Sequence, residues 1–82
     1  MKKIDSLKKK IKYRSEYRGI KEMDLLLGNF VKKYVDTFTY EELLELYKIL
    51  EKDDNTIFKW YSGASNNKEI VEKNVTNLLK KF

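Results

Sequence analysis

The sequence predicts an all-α fold, a small single-domain five-helix bundle occupying residues 1–82. Three observations predict it: apolar residues recur at spacings of three and four along most of the chain, no stretch alternates as a half-buried strand does, and proline is absent. At 82 residues a single core supplies only a small net stability, so such a chain is better suited to binding a partner than to enclosing a deep active site.

The first helix, from about Lys2 to Tyr17, carries Ile4, Leu7 and Ile11 on a narrow apolar stripe, with lysines on the other faces. The second runs from about Ile20 to Val35. Ile20, Met23, Leu27, Phe30 and Tyr34 share one face, Leu26 and Val31 widen it, and Gly28 is expected to permit a close helix approach. Thr39 and Glu42 form a capping-box signature for the third helix, Tyr40 to about Lys52, with Leu43, Leu46, Tyr47 and Leu50 facing inward. Asp53 or Asp54 caps a short fourth helix that ends near Ser62, with Gly63 as its stop. Ile57, Phe58, Trp60 and Tyr61 in so short a helix predict a lid. Phe58 is the better candidate for the core, whereas Trp60 is open to either a core or an interface role. The fifth helix begins near Asn66 or Asn67 and closes the bundle with Ile70, Val71, Val75, Leu78, Leu79 and Phe82.

Composition excludes several chemistries. There is no cysteine, hence no disulfide or thiolate metal site, and no histidine, hence no imidazole ligand, imidazole base or histidine-activated nucleophile. No calcium-loop spacing and no phosphate loop occur. The expectation is that the protein is not an enzyme, with catalytic residues none and metal ligands none. Glu41, Glu42 and Glu45 fall in the first turns of the third helix, where they complement its dipole and need no acid–base role. No apolar run approaches the roughly 20 residues that cross a bilayer, so direct membrane insertion is not expected.

The net charge of +5 is uneven: residues 1–18 hold eight basic residues against Asp5 and Glu16, while the remainder is close to neutral. A basic segment suits nucleic acid, an anionic surface or an acidic protein. Lys8, Lys9 and Lys10 are consecutive and therefore spread around a helix instead of lining one groove-facing stripe, so no nucleic-acid partner is expected.

Arg18-Gly19-Ile20-Lys21-Glu22 lies at the junction of the first two helices. Glycine costs roughly 1 kcal/mol relative to alanine inside a helix, so Gly19 marks a helix end or a close contact. The plain alternatives are a C-cap at Gly19 and an Arg18–Glu22 intrahelical pair worth about 0.3–0.5 kcal/mol.

The run YRSEYRGIKEMDLLLGNF, the acidic start of the third helix and the Phe-x-Trp of Phe58 and Trp60 together resemble the SdhE-type flavinylation factors of succinate dehydrogenase. The resemblance covers about Ile11 to Ser62. It departs at Tyr17, where the family often has a second arginine that Arg14 replaces one turn earlier, and at Asp54-Asn55-Thr56, where the family's Asp-Pro-Asp gives a tighter start to the fourth helix. The resemblance implies a five-helix assembly factor that binds the flavoprotein subunit of succinate dehydrogenase, and in bacteria often that of fumarate reductase. It promotes covalent attachment of FAD to a histidine of that subunit, binds no cofactor stably itself, and is a monomer when free. The partner-binding residues it implies are Arg14, Arg18, Gly19, Glu22, Asp24 and Trp60, with Arg18 offering its planar fork to the partner. On that view Arg18→Ala impairs flavinylation without a large loss of melting temperature. With no extension before the first helix, a bacterial cytoplasmic setting is favoured over the mitochondrial matrix. The competing reading is a basic helical adaptor with no flavoprotein client, whose binding moderate salt abolishes and Gly19 does not affect.

Overall fold

A computed structural model describes residues 3–16, 18–63, 70 and 73–82. Among the described residues there are five helices and no strand: α1 (Lys3–Ser15), α2 (Lys21–Tyr34), α3 (Tyr40–Leu50), α4 (Asp54–Ser62) and α5 (Asn74–Lys81). The expected start of the fifth helix at Asn66 or Asn67, Val71 and the Tyr17 departure lie outside the described residues.

The core forms where the apolar stripes meet. Leu7 and Ile11 of α1 join Met23, Leu27, Phe30 and Val31 of α2, and Leu43, Leu46, Ile49 and Leu50 of α3. Ile57 and Trp60 of α4 and Val75 and Leu79 of α5 complete it. α1 packs on both α2 and α3, and α5 packs on α3. Burying apolar side chains of this size contributes about 1.5–3 kcal/mol each, which is what holds such short helices together. Phe30, Tyr34, Phe38 and Phe82 make an aromatic cluster at one end, with Phe30 edge-on to Phe82 at 5.4 Å and Tyr34 stacked on Phe38 at 5.7 Å.

The helix ends follow the capping chemistry. Thr39 Oγ1 accepts from Glu42 N at 3.2 Å and Glu42 Oε1 accepts from Thr39 N at 2.9 Å, closing the capping box of α3. Asp53 caps α4 by accepting from Thr56 N at 3.0 Å. Hydrogen bonds from the Thr56 side chain and N–H hold the Asp53 carboxyl below its ordinary range. Asp53 thus caps the first turn of α4 without the proline that the family's Asp-Pro-Asp would place there. Gly63 ends α4 in the left-handed region at φ 76°, which only glycine adopts without strain.

Two glycine expectations change. The plain C-cap at Gly19 does not form: α1 ends at Ser15, and Gly63 alone among the described glycines has a positive φ. At Gly28 a Cβ would meet the Ser15 carbonyl oxygen of α1 at 3.9 Å, an ordinary contact, so the α1–α2 approach would admit alanine.

Candidate functional site

The Arg18–Glu22 motif begins in the link between α1 and α2 and runs into α2. Ile20, the N-cap of α2, is extended at φ −106° and ψ 122°, so Arg18 and Glu22 do not share a helix and the local i,i+4 pair is not made. Glu22 is exposed in the first turn of α2, where its charge complements the helix dipole.

Arg18 turns inward. Its side chain is 9% exposed and its Nε donates to Asp54 Oδ1, whose side chain is 12% exposed. One terminal nitrogen donates to Arg14 O at 2.8 Å and to Leu50 O at 3.0 Å, and the other donates to Lys52 O at 2.6 Å. Arg14 and Leu50 lie in the last turns of α1 and α3, where helix carbonyls have no intrahelical donor. A single guanidinium thus serves two negative helix ends, while Asp54 places its carboxylate at the positive start of α4. The fork expected to face a partner is committed within the fold, and the expectation that Arg18→Ala spares the melting temperature is corrected accordingly.

The backbone around it is pinned as well. Arg18 N donates to Asp24 Oδ1 at 2.7 Å, and Ile20 N donates to Asp54 Oδ2 at 3.0 Å. Gly19 stands exposed between these two anchored residues. A Cβ there would touch only Asp54 Oδ2, at 3.9 Å. Neither backbone conformation nor internal packing requires glycine at this position.

Arg14 is exposed, with its guanidinium 5.9 Å from the centre of the Tyr47 ring. It borders a broad cleft of about 790 Å³ into which Lys9, Lys10 and Tyr13 of α1, Gly19 and Lys52 also face. Trp60 is elsewhere: it is 4% exposed, packed in the core, with Lys80 Nζ 5.1 Å from its ring centre. Phe58 is 49% exposed. The core expectation for Phe58 is corrected and Trp60 takes the core alternative of its two, since Ile57 and Trp60, three apart, share the inward face of α4.

The structure thus brings Arg14, Arg18, Gly19, Glu22 and Asp24 to one region, presents Arg14, Gly19 and Glu22, uses Arg18 and Asp24 inside it, and sets Trp60 apart. Asp54 was not among the expected site residues. Its signal is the Asp53-Asp54 pair, because only one of two adjacent acids can be the N-cap and the other is left to find a partner. Among the described residues no group of acidic side chains is arranged to hold a metal, and no helix is long and apolar enough to cross a membrane.

Comparison with known proteins matches residues 9–82 to the family described as flavinator of succinate dehydrogenase. The FAD assembly factor SdhE of Acetobacter pasteurianus is 34% identical over 75 residues, covering 92% of this chain and 66% of that protein. The mitochondrial succinate dehydrogenase assembly factor 2 of Debaryomyces hansenii is 44% identical over 57 residues, covering 70% of this chain and 40% of its own length. That of Dictyostelium discoideum is 35% identical over 77 residues, covering 94% of this chain and 52% of its own length. The chain therefore spans from about two fifths to about two thirds of the length of these relatives. No solved structure matches it.

Proposed function

The chain belongs to the flavinator of succinate dehydrogenase family, and from that membership and the pinned surface around Gly19 we propose that it is an assembly factor for the flavoprotein subunit of succinate dehydrogenase. It binds that subunit and promotes covalent attachment of FAD to one of its histidines. The chain has no histidine of its own to accept the flavin, so the bond forms on the partner.

The observation that carries this reading is Gly19, exposed between two hydrogen-bonded neighbours, yet a glycine for no reason internal to the fold. A partner's backbone approaching to within contact distance supplies the missing reason. Arg14 and Glu22, exposed in the same region, offer opposite charges to that partner, while Arg18 and Asp24 hold the shape.

The mechanism is preorganisation. A binder accelerates a step on its client only by preferring the client's reactive conformation, here the one that holds the histidine against the flavin methyl carbon. Moving a population from 1:99 to 99:1 takes about 5.5 kcal/mol of differential affinity, within reach of a small interface with a few good contacts. The family resemblance extends this proposal to the fumarate reductase flavoprotein as a second client, to a monomeric free chain and to a bacterial cytoplasmic setting.

Co-expression with the flavoprotein subunit in a host lacking its own factor, followed by denaturing electrophoresis and in-gel flavin fluorescence, tests the proposal. Fluorescence that depends on the wild-type chain and fades with Gly19→Arg is the expected result. Equal fluorescence with and without the chain overturns it and favours the adaptor reading.

A further inference from the structure

Asp54 is 36 residues from Arg18 in sequence, yet its carboxylate holds both residues that flank Gly19. Oδ1 accepts from Arg18 Nε, and Oδ2 accepts from Ile20 N at 3.0 Å. Asp24 adds a third anchor on Arg18 N. A Gly-containing link is otherwise the most freely rotating part of a chain. Held at both ends by one carboxylate, it docks without the entropy cost of ordering a loop.

We propose that Asp54 is the positioning residue of the docking surface: it sets the conformation of Arg18-Gly19-Ile20 and so where Gly19 and the start of α2 meet the partner. This rests on the reading of that surface as the flavoprotein contact. At 12% exposure the Asp54 side chain acts through its neighbours. A carboxylate is needed because Arg18 Nε and Ile20 N are both donors. Asparagine would turn a donor toward one of them, leaving a part-buried N–H unsatisfied.

The test compares Asp54→Asn and Asp54→Glu with Asp53→Asn, which loses the same charge one residue away while keeping a capping side chain. For each, affinity for the flavoprotein subunit is measured by calorimetry, melting temperature by circular dichroism, and exchange of the Ile20 amide by NMR. The expected result is a roughly tenfold loss of affinity and faster Ile20 exchange in Asp54→Asn, with Asp53→Asn unchanged in both. Asp54→Glu keeps the counter-charge for part-buried Arg18 but displaces the carboxylate from Ile20 N, so it should recover the melting temperature and not the affinity. Affinity that simply follows melting temperature across the variants, or an Ile20 amide as protected in Asp54→Asn as in wild type, overturns the assignment. Should Asp54→Asn fail to fold, Asp54→Glu decides alone. A wild-type chain that does not bind the subunit overturns the functional reading by itself, and Ile20 exchange then decides the role of Asp54.

Discussion

A guanidinium serves a partner only with donors it has not already committed, and Arg18 directs four hydrogen bonds into its own fold. Arg18→Ala strands a part-buried Asp54 and removes the donor from three carbonyls. Breaking such a pair costs about 3–5 kcal/mol, and at about 4–8 °C per kcal/mol for a domain of this size the melting temperature should fall by more than about 10 °C. Gly19→Ala, whose added methyl group would make only an ordinary contact with Asp54 Oδ2 at 3.9 Å, should stay within about 0.5 kcal/mol of wild type in the same thermal scan. A flavinylation defect in Arg18→Ala is therefore a folding defect until the melting curve says otherwise. The sequence pointed to Arg18 and Gly19 as unusual. Their division of labour was not legible, because the Asp54 that captures Arg18 lies far along the chain and spacing alone does not distinguish a presented arginine from a buried one.

Helix α4 shows where periodicity stops being informative. Ile57 and Trp60 are three apart, and so are Phe58 and Tyr61, so its nine residues carry two apolar faces with equal claims to the core. Only the position of α4 against the rest of the bundle decides, burying Trp60 and leaving Phe58 at the surface. Trp60→Ala should cost about 3–5 kcal/mol and Phe58→Ala within about 0.5 kcal/mol, read as shifts in the urea midpoint. The Thr39–Glu42 box and the Gly63 stop were legible in the sequence, since both depend on residues within four positions of each other. Gly19 resembles Gly63 in composition and not in conformation, which is why a C-cap was a reasonable expectation there and did not form.

Across the whole molecule, the helix count and core stripes follow from the 3.6-residue period, whereas the packing of α1 on α3 and of α3 on α5 depends on contacts distant in sequence. The excess positive charge of residues 1–18 places Lys9, Lys10 and Arg14 beside the cleft that borders Gly19. Such a field steers an encounter more than it holds a complex together. Stopped-flow association with the flavoprotein subunit should slow as sodium chloride rises from about 50 mM to 500 mM while dissociation changes little. An association rate indifferent to salt would remove the basic face from the encounter. The anchoring of the Gly19 segment by α4 has a further consequence. On the proposed reading the recognition element would not be a linear epitope: a peptide copying residues 14–24 would carry its letters without its shape, because the Asp54 carboxylate that holds Arg18 and Ile20 arrives only when α4 has docked. If the proposed docking surface is the contact, a partner that requires that shape would engage only the finished molecule, and an immature or truncated copy would be passed over without any separate proofreading step.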